Sequence, residues 1–371
     1  METQQCTHLD YSNISNARIQ DFEVFLYNQR EQFFVGILMP IILVPGILGN
    51  IAFLVVYQCV RRMKTRTNIY LANLAVADVF YLLFGVGEKV LSLYLSAIRY
   101  DSLKLSSVWC YTVLPFVKMC AYASMFFVTM VTVDKFFAVC HPFRVRRSSK
   151  RRYRLFLMPI RFVIGGWVTA LVCATTSIPA LGKMIVYCIV WPSNDQFASL
   201  PNQFGICSPF YPWSDAFSNL FQITLFFSVL FPNVYMYMKI IYTLHLRVKS
   251  AVRRDTQLRN YVARMLVING SIFFLCTMPF YFFSLAYHVA DVVTSVPVWM
   301  TEMLKVVRPI SQALLYLNSC INPLIYNVAN PRYRTAFSET FKCEKVRRHQ
   351  GQPKTCDTTV YMRAVNKPSN C

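Results

Sequence analysis

Long apolar runs alternate with short polar connections along most of this chain. Each run exceeds the roughly 20 helical residues that cross a bilayer core of about 30 Å, which leaves room for tilt. The ten-residue alternation typical of membrane barrels is not seen in the sequence. The pattern predicts an all-α membrane protein, a bundle of seven transmembrane helices, with spans at about 33–60, 68–97, 107–140, 155–182, 215–246, 257–291 and 299–326. The fourth span is the weakest because Pro159 and Arg161 interrupt it.

Composition agrees with a membrane location. The chain has 371 residues, is 55% hydrophobic with a mean hydropathy of +0.38, and still carries a net charge of +21. A soluble domain of this composition would have a surface that is both apolar and basic, whereas a membrane protein segregates the two. We therefore expect the basic charge to face membrane lipid, and we expect no nucleic-acid partner.

The distribution of Lys and Arg predicts the orientation of the bundle. The connections 61–67, 141–154 and 247–264 carry four, seven and six basic residues, while the loops 98–106 and 183–214 carry two and one. Basic connections lie on the cytoplasmic side, so the N-terminus is predicted outside and the C-terminus inside. The chain is thus expected to be a multi-pass membrane protein.

The regions that flank the seven-helix domain, residues 33–326, are polar. Residues 1–32 are predicted to be an extracellular tail with a glycosylation acceptor at Asn13, and they show no cleavable signal peptide, so the first helix is expected to act as the anchor. Residues 327–343 are predicted to form a short amphipathic eighth helix on the inner membrane surface. Cys343 is a candidate palmitoylation site at its end, and residues 344–371 are expected to be disordered.

Cys6, Cys110, Cys188 and Cys207 fall on the predicted outer side, where disulfides form. Cys110 stands at the outer start of the third helix. A bridge from it to the loop 183–214 would hold that loop over the mouth of the bundle. Four cysteines allow three complete pairings, and their positions leave all of these open, together with the alternative that the four are free.

A single carboxylate, Asp78, lies in the middle of an apolar helix. An unpaired charge there costs several kcal/mol, so a polar partner is required. Asn318, Asn322 and Tyr326 recur every four residues on one face of the seventh helix and are candidate partners. The alternative is that Asp78 is protonated and simply hydrogen-bonded.

Several motifs in this order resemble those of the rhodopsin-like (class A) family of G-protein-coupled receptors. They are GN at 49–50, NLAVAD at 73–78, DKFFAVCHP at 134–142, Trp167, Pro232, FFLCTMP at 273–279 and NSCINPLIY at 318–326. The resemblance implies a multi-pass receptor of the plasma membrane that binds an extracellular ligand and activates a heterotrimeric G protein, with Asp134 and Lys135 at the coupling face. It also implies that Cys207 is the partner of Cys110, with Cys188 as the fallback.

The resemblance further implies a sodium pocket. The matching positions are Asp78, Ser124, Asn318, Ser319 and Asn322, and all are filled by oxygen-bearing side chains. No cofactor is expected apart from this allosteric ion. Three departures from the family pattern affect its activation machinery: Lys135 replaces an arginine, Thr277 a tryptophan and Ile240 a tyrosine. An atypical or weakly signalling receptor of the same fold is therefore the main alternative.

The ligand class is predicted from residues that face the outer half. By the resemblance, Val117 excludes a monoamine and Tyr316 excludes retinal. Charges of both signs stand among aromatic residues, which suits a peptide with termini and mixed side chains. We expect a neuropeptide, bound by Glu88, Lys118, Phe280, Tyr281, Arg308 and Gln312.

Two other classes of protein fit the sequence less well. A membrane transporter would show inverted repeats or paired broken helices, and the two halves of this chain show no self-similarity. An enzyme is less favoured still, because its five histidines are scattered and form no cluster with catalytic or metal-ligand spacing.

Overall fold

The computed structural model of the chain describes residues 7–10, 26–99, 101–141, 152–191, 200–248, 254–293, 297–329 and 331–348. Seven long helices form the bundle, and an eighth follows. They are α1 (Gln29–Cys59), α2 (Arg66–Leu95), α3 (Trp109–Cys140), α4 (Arg152–Thr175), α5 (Pro212–Val248), α6 (Arg254–Val293), α7 (Val298–Ala329) and α8 (Pro331–Arg348). The strands are β1 (Thr7–Asp10), β2 (Lys183–Val190) and β3 (Gln203–Ser208).

The predicted seven-helix bundle is confirmed, and its helices differ in how apolar they are. The helices α1, α2, α3, α5 and α6 are each long and apolar enough to cross a membrane by themselves. The apolar part of α4 is shorter, at Pro159–Thr175, in line with the weak signal of that span. The predicted boundary at 182 is wrong, because α4 ends at Thr175 and a separate helical turn follows at Ile178–Leu181.

The end of α4 has a local cause. The hydroxyl groups of Thr175, Thr176 and Ser177 each donate a hydrogen bond to the carbonyl three residues earlier. Such bonds compete with the regular helical pattern. Pro179, in the separate helical turn that follows, has no N–H with which to continue the hydrogen bonds of α4, so the chain turns here instead of continuing as one helix.

The helices separate a lipid-facing side from a packed side. In α1 the buried residues Met39, Ile42, Gly46, Asn50 and Phe53 recur every three or four positions. This spacing places them on one face of the helix, towards the bundle. The opposite face exposes large apolar side chains, namely Ile37, Ile41, Val44, Leu48 and Val55.

The extracellular side is covered by a β-hairpin. Strands β2 and β3 pair antiparallel, and β1, from the N-terminal tail, pairs parallel with β2. Asp101 fixes the hairpin to the connection between α2 and α3, since its Oδ1 accepts hydrogen bonds from Leu103 N at 2.9 Å and Gly205 N at 3.0 Å. The long outer loop thus forms a lid that backbone and side chain both hold in place.

The disulfide Cys110–Cys207 joins the start of α3 to β3, with a Cα–Cα distance of 5.5 Å. The predicted pairing is therefore confirmed over the fallback, and Cys188 belongs to a different disulfide. The bridge closes a loop of 97 residues in sequence. It ties the lid directly to the central helix of the bundle.

The ends of the helical domain lie away from the predicted limits. The first helix begins at Gln29 instead of 33, because Asn28 and Glu31 form a capping box there. The eighth helix occupies Pro331–Arg348 instead of 327–343, and proline suits its first turn because its missing N–H has no helical partner there. Tyr333 and Ala336 on this helix are buried against the bundle.

Three predictions fall on parts that the structure does not describe. Asn13, the glycosylation candidate, and residues 349–371 of the tail lie outside the described residues. Cys343 lies within α8, but its side chain is not among those described. Glycosylation, palmitoylation and the disordered tail stay predictions.

Loss of the bridge should lower the stability of the outer face. Cys110→Ala and Cys207→Ala are each expected to destabilise the protein by about 2–5 kcal/mol and to reduce its abundance at the cell surface. The double variant should be no worse than either single one, because both changes remove the same interaction. Surface labelling of the tagged protein measures the effect, with Cys276→Ala, at a free cysteine, as the control. Peptide mapping that found Cys110 bonded to Cys188 would contradict the assignment.

Candidate functional site

Two neighbouring cavities lie beneath the hairpin. The outer cavity, of about 410 Å³, is lined by Glu88, Arg308 and Gln312, together with residues of β3 and the start of α1. The inner cavity, of about 190 Å³, is lined by Lys118, Phe280, Tyr281 and again Gln312. The six residues predicted to bind the ligand therefore all line these cavities, and Gln312 lies where the two meet.

A chain of hydrogen bonds crosses the inner cavity. Lys118 Nζ donates to Gln222 Oε1 at 2.6 Å, and Gln222 Nε2 donates to the Tyr281 hydroxyl at 3.2 Å. These bonds join α3, α5 and α6 below the hairpin. Sequence reasoning missed Gln222, although an amide within the apolar run of α5 was a usable signal.

The outer cavity contains an ion pair that was also missed. Arg99, in the connection after α2, lies 2.6 Å from the Glu31 carboxylate at the start of α1, and both side chains are largely shielded from solvent. Glu31 stands in the segment that was predicted to be a polar tail. The pair lines the outer cavity and fixes the entry of α1 against the mouth of the bundle.

Asp78 is fully buried and accepts three side-chain hydrogen bonds. Ser124 and Ser319 donate to its Oδ1 at 2.9 and 2.8 Å, and Asn322 Nδ2 donates to Oδ2 at 2.7 Å. The carboxylate thus joins α2, α3 and α7. The predicted partnership with the seventh helix holds for Asn322 and Ser319.

The other two candidates on α7 have different surroundings. Asn318 lines the inner cavity, and its buried Oδ1 has no hydrogen-bond partner among the described residues. The Tyr326 hydroxyl accepts a long hydrogen bond of 3.5 Å from Asn269 on α6. Helical periodicity placed these residues on one face correctly, but it did not show which of them reach the carboxylate.

The residues around Asp78 fit a small monovalent cation. They offer a carboxylate and two hydroxyl oxygens, and the buried amide oxygens of Asn318 and Asn322 have no hydrogen-bond partner in the part of the chain that the structure describes. Oxygen atoms of these kinds are the ligands of hard cations. The described residues contain no cluster of three or more His, Cys, Asp or Glu side chains, so a site for a transition metal is not indicated there.

The acid and base at 134 and 135 form a part-buried cluster near the inner end of α3. Lys135 Nζ lies 3.2 Å from Asp134 Oδ2, and Thr67 on α2 donates to the same oxygen at 2.7 Å. Lys135 also donates to Thr67, and Arg66 lies 3.9 Å from the other carboxylate oxygen. The side chains of Asp134 and Lys135 are only 15% exposed, which does not fit a solvated helix end.

The two other departures from the family pattern are both buried. The Thr277 hydroxyl donates to the carbonyl of Phe273, one turn earlier in α6, at 2.8 Å. Ile240 is completely buried in α5. One turn earlier, Tyr237 supplies a phenol to the interior, and it accepts a hydrogen bond of 3.0 Å from Thr132 on α3. The bundle therefore still has a tyrosine hydroxyl between α3 and α5, at another position.

Comparison with known proteins agrees with this architecture. The model of the 7 transmembrane receptor (rhodopsin family) matches residues 49–326, so the chain belongs to that family, as the motifs predicted. The family consists of receptors and not of enzymes, and the chain is a multi-pass protein of the plasma membrane.

The matches to individual relatives cover more of the chain than the family model does. Neuromedin-U receptor 2 of Mus musculus is 26% identical over 86% of this chain and 79% of its own length. Somatostatin receptor type 5 of Rattus norvegicus is 29% identical over 82% and 76%. The neuromedin U receptor homolog nmur-2 of Caenorhabditis elegans is 25% identical over 96% and 93%.

Gly270 on α6 provides a test of the contact with Tyr237. A Cβ atom at this position would lie 1.8 Å from the Tyr237 hydroxyl, so the phenol would have to leave Thr132. Gly270→Ala is expected to destabilise the receptor by about 1–3 kcal/mol, seen as a lower Tm of the purified protein.

The control is Gly165→Ala on α4, where a Cβ meets nothing within 4 Å. That change should be neutral or should stabilise the helix by up to about 1 kcal/mol. Tyr237→Phe removes the clashing oxygen, so the pair Gly270→Ala with Tyr237→Phe should be less destabilised than the sum of the single changes. If the losses of stability from the two single changes were fully additive in the double variant, the contact between position 270 and Tyr237 would be contradicted.

Proposed function

We propose that this receptor binds an extracellular peptide in the two joined cavities and activates a heterotrimeric G protein at its cytoplasmic face. The two cavities themselves are the observation that carries the proposal. Charges of both signs and aromatic rings line a path from the hairpin to the centre of the bundle, with Gln312 at the junction. The relatives named for neuromedin U and somatostatin support a neuropeptide as the ligand. No catalytic activity is proposed.

The shape of the site favours a peptide over a small compact ligand. The outer cavity has the larger volume and is bordered by the disulfide at Cys207. The inner cavity has the smaller volume, and its lining is mostly aromatic or apolar. An extended chain can place one end in the inner cavity and leave its remaining residues against the outer one.

At the cytoplasmic face, the cluster around Asp134 provides a restraint on the resting state. Asp134 holds Lys135 against Thr67, so the ammonium is turned towards α2 and not towards a G protein. A ligand that favours the other conformation of the bundle would release Lys135. Lysine retains the charge of the usual arginine but lacks its planar set of donors, so coupling is expected to be weaker than with arginine.

Sodium is proposed to bind at Asp78 and to favour the resting state. Asp78, Ser124, Asn318, Ser319 and Asn322 would hold it, and the ion would supply the positive charge that the buried carboxylate lacks. These residues come from α2, α3 and α7, so they keep their places only while the three helices stay together.

Nucleotide exchange on a purified G protein tests the proposed function. A peptide from a neuropeptide library is expected to raise the exchange rate in the presence of the receptor and not in its absence. A nucleotide-exchange rate that no peptide changes, together with a peptide-driven flux of a solute, would favour a transporter instead.

The restraint at Asp134 is tested in the same assay at matched surface expression. Asp134→Asn should raise basal exchange by about fivefold or more, because it removes the charge that holds Lys135. Lys135→Ala should lower agonist-driven exchange without weakening peptide capture, and Lys135→Arg should raise it. Equal basal and agonist-driven exchange in wild type, Asp134→Asn and Lys135→Arg would show that the pair plays no part in coupling.

The sodium proposal predicts a salt-specific effect on binding. Raising sodium at constant ionic strength, with N-methylglucamine as the replacement, should weaken agonist binding to wild type, because agonist and ion favour different states. Asp78→Asn keeps the size of the side chain but loses its charge, and the dependence should vanish. A sodium effect of equal size in the variant would exclude this site.

A further inference from the structure

Lys118 places an ammonium group in an otherwise uncharged cavity. Of the described residues that line the inner cavity, it alone carries a formal charge. Its bond is to the amide oxygen of Gln222, and it takes part in none of the ion pairs formed between described residues. A neutral amide does not cancel the charge, and an uncancelled charge at membrane depth is costly.

The neighbours of Lys118 hold the ammonium in a defined direction. Tyr281 accepts the N–H of Gln222, so the amide oxygen faces the lysine. Tyr281 is in turn stacked on Phe226, with ring centroids 4.1 Å apart. An ammonium has three donors, and Gln222 uses one of them. The other two remain for a group that enters the cavity.

Positive charge also lies above the inner cavity. Arg308 lines the outer cavity, and its charge repels that of Lys118, whereas Asp215, at the start of α5, is the acid that attracts it. In the outer cavity Arg99 is paired with Glu31, and the adjacent Glu88 and Lys89 carry opposite charges, so Arg308 leaves one positive charge in excess. An anionic group that enters there is therefore attracted by Arg308 at the mouth and again by Lys118.

We propose that Lys118 binds a carboxylate at the inserted end of the ligand, with an apolar or aromatic group beside it against Tyr281 and Phe280. The carboxylate is either the free C-terminus of the peptide or an Asp or Glu side chain near that end. Charge-assisted hydrogen bonds of this kind are short and strong. The peptide nature of the ligand rests on the proposed function, but the contact between carboxylate and lysine does not.

The contact is tested first without any peptide. Phenylacetate, a small aromatic carboxylate, is added at millimolar concentration to purified receptor, and phenylacetamide serves as the uncharged control of the same shape. Phenylacetate is expected to raise the Tm of wild type and of Lys118→Arg by at least about 2 °C. Phenylacetamide should not, and Lys118→Met should respond to neither.

A second variant places the anion within the chain. Gln222→Glu puts a carboxylate at the position that now bonds Lys118 at 2.6 Å. It is expected to raise the Tm of the receptor without ligand and to abolish the response to phenylacetate. This variant decides the question even if Lys118→Met fails to fold. The proposal is overturned if wild type shows no shift, if acid and amide act equally, or if the shift survives in Gln222→Glu.

An agonist peptide, once found by nucleotide exchange, distinguishes the two sources of the carboxylate. The peptide is compared as free acid and as C-terminal amide, and with each Asp or Glu replaced by its amide. One of these changes should lower affinity for wild type by about ten- to a hundredfold and should have no further effect in Lys118→Met. Equal losses in both receptors would overturn the contact. A negative peptide screen would count against the proposed function alone, since phenylacetate binding needs neither peptide nor G protein.

Discussion

The buried carboxylate of Asp78 is the point on which the arrangement of the helices depends. Lipid offers no hydrogen bonds, so a charged group in the bundle must be satisfied by other helices. Ser124, Ser319 and Asn322 do this from α3 and α7. If α7 moved by one turn relative to α2, two of these bonds would be lost. The carboxylate therefore fixes the mutual position of three helices.

Three of the polar contacts of α3 lie at different depths, the outermost with α5 and the two inner ones with α2. Near the outside, Lys118 is linked through Gln222 to Tyr281. Near the inside, Asp134 and Lys135 contact Thr67 on α2. The Asp78 cluster lies between them. A ligand that changes the outermost contacts acts on the same helix that carries the innermost ones, which is a physical route from the cavity to the cytoplasmic face.

The departures from the family pattern are accommodated by other contacts of the bundle. Tyr237 supplies a phenol near the place where Ile240 lacks one, and Gly270 leaves the room that this phenol requires. The Thr277 hydroxyl is satisfied within its own helix by the carbonyl of Phe273, and its side chain lines the inner cavity. The contact between α3 and α5 is thus made by another side chain, whereas Thr277 contributes to the open space of the cavity. Lys135 is the departure with a direct electrostatic consequence, because its charge is held by Asp134.

The number, order and orientation of the spans, and the family to which they belong, could be predicted from the sequence. This was possible because a bilayer requires long apolar helices and because basic residues collect on the cytoplasmic side. Local signals also located Asp78 and the pair Asp134 and Lys135. The three-dimensional structure was needed to show that Asn322 and not Asn318 bonds Asp78, that Gln222 is the partner of Lys118, and where α4 and α8 begin and end. The partners of Asp78 on α3 and α7 are 46 to 244 positions away in sequence, and periodicity along one helix does not show which face of another it meets.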